Sequence, residues 1–322
     1  MHREMMAAVV GALIASFVAA PVGQARAQDY PTHPITLIVP YPAGGGVDLI
    51  GRLVGQRLSA ALGQQVVVEN RGGAGGMIGT RDIAKATPDG YTLGVMLTGI
   101  SLSPNAGYDI NKDFSPIGSI ATTPMFVVAN PSLPVKSLTD IVALAKKEPG
   151  KISVGTPPSP TLNYFTAKLL DLVGGIDTIT VTYRGTAPLT TDLIGGQVQL
   201  GIDTIPAAIS NVQAGQLRAI AVTGLTRSAA LPNVPTSAQS GLPEFQAVQY
   251  YGLTAPAGVP RPIVDRLNKE LRTMLAADDF KKRLIEAGDD PAPSTPEEYA
   301  ASIKREEGKW AALVKKLGLK VE

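Results

Sequence analysis

Val39-Pro40-Tyr41-Pro42-Ala43-Gly44-Gly45-Gly46-Val47-Asp48-Leu49-Ile50 decides how the rest of this chain is read. It follows an apolar, β-branched run, Ile35 to Val39, with the composition of a buried strand. Pro40 and Pro42 end the strand, and three glycines let the backbone turn tightly and approach whatever lies above it. A helix then begins, because Val47, Ile50, Val54, Leu58 and Ala61 recur on one face at helical spacing.

The first turn of such a helix offers unpaired N–H groups and a positive dipole end, a seat for an anion. A nucleotide-triphosphate loop needs Gly-Lys-Ser/Thr, and Val47-Asp48 stand there instead. The dinucleotide fingerprint needs a small residue three after its second glycine, and counted from Gly44 and Gly46 that position is Leu49. Two readings remain. One is a backbone cradle for a carboxylate; the other is a plain strand-to-helix turn in which Asp48 answers the dipole.

His2 and Arg3 precede an uncharged apolar run from Met5 to Ala20, and Ala25-Arg26-Ala27 is a small-x-small cleavage site. The expectation is a signal peptide over residues 1–27, cleaved after Ala27 to leave a periplasmic protein. No later run reaches the roughly 18 uninterrupted apolar residues of a membrane span. The remaining length suits one large domain or two, and 44% hydrophobic residues suit an ample core. Lys+Arg number 29 against Asp+Glu 27, so charge gives no case for nucleic acid. The chain has no cysteine, and a core of this size does not require disulfides.

The first half alternates strand and helix. Gln65 to Glu69 reads as a second strand, and Asn70 to Gly76 as a second glycine-rich turn opening a helix from about Met77 to Lys85. Pro88-Asp89-Gly90 is a turn, Tyr91 to Met96 a third strand, and Thr98 to Ser101 the loop at its end. This order implies parallel pairing with right-handed crossovers, so the turns after Val39, Glu69 and Leu97 share the edge where open α/β sheets bind ligands. Strands are expected at Ile117 to Thr122 and Met125 to Ala129, and a crossover near Asn130. The alternation then restarts through Lys151–Gly155, Thr178–Thr182, Gln197–Ile202 and Leu217–Thr223. A strand at Tyr250 to Pro256 returns to the first domain. The terminal helix carries Ile303, Trp310, Leu313 and Leu317, expected to dock on the sheet.

Several blocks together resemble one family. They are Val39-Pro40-Tyr41-Pro42-Ala43-Gly44-Gly45 with Asp48, Val68-Glu69-Asn70-Arg71-Gly72-Gly73-Ala74-Gly75-Gly76, and Pro88-Asp89-Gly90-Tyr91-Thr92-Leu93. Further along come Tyr183-Arg184-Gly185-Thr186-Ala187-Pro188, Leu217 to Thr223, Gly252 to Gly258 and Ser294 to Glu298. The family is the Bug-type substrate-binding receptors of tripartite tricarboxylate transporters, and the match spans nearly the whole chain after the signal peptide.

The resemblance implies an α/β, two-lobed fold of periplasmic-binding-protein type, each lobe a mostly parallel sheet flanked by helices. It places lobe 1 at residues 28–130 plus 250–322 and lobe 2 at 131–249, hinged near Asn130 and Tyr250. The lobes would close like a flytrap on a small mono- or dicarboxylate. That acid would then pass to transporter membrane subunits from a monomeric receptor that uses no cofactor or metal. The implied ligand-binding residues are Tyr41, Ala43, Gly44, Gly45 and Asp48 from the first loop, with Thr98. Facing them are Tyr183, Arg184, Gly185, Thr186 and Ala187, with Thr156, Ser159 and Asp203 on the second wall. This chain departs from the family's pattern at Thr156 to Thr161, at Asn163, where histidine is common, and at Arg184, where lysine is frequent.

The rival class is an exported hydrolase-like enzyme acting on a small acid. The chain has no Gly-x-Ser-x-Gly elbow and no cysteine nucleophile. After the signal peptide its one histidine is His33, ahead of the first strand, which leaves no ordinary Ser-His-Asp arrangement. No cluster has metal-ligand spacing. A sensory or scaffolding protein of the same fold is the third class, and it has no need of two glycine-rich cradles on one crevice.

Overall fold

The computed structural model describes residues 30–98, 106–159 and 161–319. The expected signal peptide, and the loop beyond Thr98, lie outside them. Strand β1 (Ile35–Val39) is the centre of the first three, pairing in parallel with β2 (Val66–Asn70) and β3 (Thr92–Leu97). Their carboxyl ends share one edge, as the strand-helix alternation requires. Helix α1 (Gly46–Leu62) crosses back over them, burying Ile50, Val54 and Leu58. The stripe then continues to Leu62, and Ala61 is exposed. Two glycines let α1 lie close on the sheet: a Cβ at Gly51 would meet Val39 Cγ2 at 2.4 Å, and one at Gly55 would meet Val68 Cγ2 at 2.9 Å. Helix α2 (Met77–Ala84) makes the second crossover.

One strand, β4 (Phe114–Ala129), replaces the two expected between Ile117 and Ala129, because neither Pro116 nor Pro124 breaks it. From Phe114 to Pro124 it pairs with β9 (Val248–Pro256), which itself pairs with β3. From Met125 onward it pairs instead with β7 (Leu200–Thr204) and β8 (Arg218–Val222). The second sheet is completed by β5 (Ser153–Thr156) and β6 (Ile179–Thr182), with β5 parallel to both β6 and β7. A two-residue strand β10 (Asp290–Pro291) adds to β4 at Ala121–Thr122. The fold is therefore α/β and two-lobed, with β4 running through both sheets.

Helices α3 (Leu138–Lys147), α4 (Leu162–Gly174), α5 (Thr186–Ile194) and α6 (Ile205–Gln213) flank the second sheet. The Ser137 side chain caps α3 by accepting from Asp140 N, the role a serine favours before the first turn of a helix. Helices α7 (Arg261–Ala276), α8 (Asp278–Ala287) and α9 (Pro296–Leu317) follow β9. Thr295 and Glu298 form a reciprocal capping box at the start of α9. Helix α9 does more than dock on one sheet. Ile303, partly buried, packs against the first core cluster that holds Ile38, Met96 and Phe114, while Trp310 joins Phe165 in the core of the second.

Candidate functional site

The first cradle is the loop from Pro40 to Gly45, and Asp48 braces it from behind. The buried Asp48 carboxylate accepts from Gly44 N–H at 3.0 Å, Arg52 Nε at 3.0 Å and Asn70 Nδ2 at 2.9 Å. Burial alone would raise its pKa; the Arg52 guanidinium, the Gly44 N–H and the Asn70 amide outweigh burial and hold it below its ordinary value. Asn70 also reaches the Tyr41 carbonyl, and the Tyr41 hydroxyl donates to Gly75 O at 2.7 Å. The two glycine-rich loops are thereby tied together.

Gly44 takes the left-handed conformation (φ +91°), whereas Gly45 is extended, with φ −92° and ψ 173°. The turn's demand for glycine falls on Gly44, and Gly45 has open space where a Cβ would stand. Gly44 N–H is committed to Asp48, so the amides left to meet an anion are those of the first turn of α1, beginning at Gly46.

The second cradle is the turn from β6 into α5. Gly185 precedes the helix in extended conformation. The Thr186 hydroxyl donates to Asp203 Oδ2 at 2.9 Å. Asp203 Oδ1 accepts from Asn163 Nδ2 at 3.1 Å and Thr204 N at 2.8 Å. Burial pushes the Asp203 carboxyl up to about 6, against the pull of those three donors. Tyr183 is a fastener of the same turn: its N–H donates to Thr156 O and its hydroxyl to Asp192 Oδ2, both at 2.9 Å. Burial and the Asp192 carboxylate push its phenol up to about 12.

The cradles converge on the end of β7. A Cβ at Gly46 would lie 3.3 Å from Thr204 Oγ1, 3.5 Å from Pro206 Cβ and 3.6 Å from the Tyr251 hydroxyl. The start of α1, from the first sheet, therefore touches the start of α6, from the second. Of the sequence-derived residues, Thr186 and Asp203 are joined directly, and Tyr41 and Asp48 hold the first loop. Arg184, Ala43, Gly44 and Ala187 are exposed. The fully buried Thr156 turns its hydroxyl onto Pro157 O at 2.8 Å. Ser159 Oγ is buried with no protein partner. Thr98 Oγ1 accepts from Tyr250 N at 3.0 Å, pinning the end of β3 to β9.

Asn163, Thr204, Gly46 and Tyr251 were not singled out as site residues. Asn163 carried a signal, as a departure from the family's usual histidine. The others meet only across the two sheets, which no local pattern encodes. Among the described residues no group of three or more His, Cys, Asp or Glu is placed to hold a metal, and no helix is long and apolar enough to cross a membrane.

Comparison with known proteins agrees with this architecture. The profile described as "Tripartite tricarboxylate transporter family receptor" matches residues 50–319. Protein BugT of Bordetella pertussis is 34% identical over 329 residues, covering 100% of both chains. Among solved structures, R. palustris Rpa4515 with adipate superposes with a TM-score of 0.86 at 32% identity, covering 90% of this chain and 99% of that one. MatC from Rhodopseudomonas palustris with bound malate gives 0.83 at 30% identity, covering 88% and 100%. With two lobes meeting at two helix starts and a family profile along most of its length, the chain belongs to the receptors of the tripartite tricarboxylate transporter family.

Proposed function

We propose that this receptor captures a small mono- or dicarboxylate between its lobes in the periplasm and delivers it to transporter membrane subunits. The observation that carries the reading is the convergence of the α1 and α5 starts around Asp203 and Thr204. Each supplies backbone N–H groups and a positive dipole end to one small space. Adipate and malate in the two similar structures are acids of this class. The proposed ligand contacts are the first turn of α1 with Tyr41, Ala43, Gly44 and Gly45 around it, and Gly185, Thr186 and Ala187 opposite. Arg184, which is exposed, is proposed to meet a second carboxylate.

The lobe division at 28–130 plus 250–322 and 131–249 belongs to the same proposal. The exchange of partners along β4 supports it, and the pivot proposed here lies nearer Pro124 than Asn130. Export with cleavage after Ala27, a monomeric state and the absence of catalysis complete the reading. His33 argues against the enzyme alternative, since it stacks on Tyr91 at the amino end of β1, opposite the cradles. A thermal-shift panel of organic acids, sugars and polyamines, followed by calorimetry and product analysis, tests all of this. The expected result is stabilisation by organic acids that are recovered unchanged. Hits confined to sugars or polyamines, or turnover of the acid, would reject it.

A further inference from the structure

Asp289 follows Gly288, which ends α8 in the left-handed conformation. It is fully buried, and no protein donor reaches either carboxylate oxygen. Three relationships place the segment that carries it. Gly288 presses on the start of α6, where an added Cβ would sit 2.3 Å from Ile205 Cγ2 and 3.5 Å from Pro206 Cδ. The Gly288 carbonyl accepts from Thr123 Oγ1 at 3.0 Å, just before β4 changes sheets. Tyr251 on β9 feels the charge of Asp289 and, more weakly, of Asp203.

The titratable groups around Asp289 are Asp290 on its own segment, Tyr251 from β9 and, beyond it, Asp203 from β7. The start of α6 presents Ile205 and Pro206, and β4 presents Thr123. None of these is a cation. A dry carboxyl with no donor is far more stable neutral than ionised. Ionising it requires water, and the contact between Gly288 and Ile205–Pro206 joins the two lobes of the division proposed above.

We infer that Asp289 is a proton-binding site coupled to lobe closure, neutral under the start of α6 and ionised when the lobes open. Closure then takes up a proton. Burial, with Asp290 beside it, pushes the Asp289 carboxyl well above its ordinary value, in the direction this requires. The inference rests on the two-lobe closure proposed above.

The test needs no ligand. Because the chain has no cysteine, Ile78→Cys on α2 and Ile194→Cys on α5, 47% and 37% exposed, can carry a fluorescent pair that reports lobe separation in the full chain. The separation should shorten as the pH is lowered, and should do so above the ordinary carboxylate range. That response should be lost in Asp289→Asn. A pH-independent separation, or an Asp289→Asn variant that responds as the parent does, would overturn the inference. Infrared spectra of the unsubstituted protein add a reading independent of variant folding. The stretch of a neutral carboxylic acid should persist at pH values above the ordinary carboxylate range, and its absence there would also overturn the inference. If no organic acid binds in the thermal-shift panel, the receptor reading fails separately, while the ligand-free pH response still decides this one.

Discussion

The Thr186 hydroxyl donates to Asp203 Oδ2 at 2.9 Å, joining the first residue of α5 to the end of β7. With Asn163 on the other oxygen, three elements of the second lobe are locked into one wall. Thr186→Val keeps the shape and removes the donor. A hydrogen bond to a charged group contributes about 1.5–3 kcal/mol, so affinity for the tightest acid of the panel should fall about tenfold or more. Thr186→Ser should stay near the parent value. Calorimetry giving equal affinities for all three proteins would detach this pair from binding.

Asp203 also predicts a pH dependence of stability. Its folded pKa of about 6 lies above the unfolded value near 3.9. The contribution is fully present below about pH 4 and is lost as pH rises through about 6. The loss amounts to roughly 3 kcal/mol at about 1.4 kcal/mol per unit. Urea titrations should show this slope in the parent and a flatter profile in Asp203→Asn. Parallel profiles for the two proteins would contradict the assignment.

Asp48 acts in the opposite sense. Its lowered pKa gives stability above its unfolded value that is lost as pH falls through the folded one. Asp48→Ala leaves the Gly44 N–H, the Asn70 amide and Arg52 without their acceptor, at a cost of about 1–3 kcal/mol. Thermal melting at neutral pH should show a drop of several degrees, with weaker acid binding because the first loop loses its brace. A variant with parental melting and affinity would show that the brace is dispensable.

The three glycines of the first loop should separate by role. Gly44→Val forces a β-branched residue into a positive φ, costing about 1–3 kcal/mol of stability. Gly45→Ala meets open space and should be close to neutral. Gly46→Val crowds Thr204 and Pro206, and should weaken binding without a matching loss of stability. Small-angle scattering and calorimetry on the three variants check the order. A Gly46→Val protein that binds and contracts normally would show that the α1–α6 contact plays no part.

Much of the fold was legible because its signals are local. Pro40 and the glycines stop β1, the apolar stripe from Ile50 to Leu58 makes α1, and Ser137 caps α3. The continuous β4 was hidden by two prolines that a long strand accommodates. In the site, Thr186 and Asp203 could be named because each ends or begins an element at the loaded edge. Asp48 was visible too, but its partner Asn70 lies 22 positions away, so its bracing role needed coordinates. Gly46, Thr204 and Tyr251 meet only through tertiary packing between sheets.

Trp310 is 1% exposed and stacks on Phe165 with ring centroids 6.4 Å apart. Trp310→Ala should cost about 3–5 kcal/mol and release the end of α9 from α4, read as a lower urea midpoint and faster amide exchange in α9. A midpoint within experimental error of the parent would mean that the helix is not anchored there.

Helix α9 bears on motion as well as on stability. It is a rod of 22 residues, about 33 Å long, with Ile303 packed against one core and Trp310 buried in the other. Two neighbouring strands alone can both bend and twist. A helix held at these two interior points resists the twist, because turning one half about the strands would pull Trp310 away from Phe165. Of the rotations open to two bodies, bending is the one left cheap. Under the lobe closure proposed above, binding energy would be channelled into a single coordinate, and each encounter with ligand would drive the same stroke.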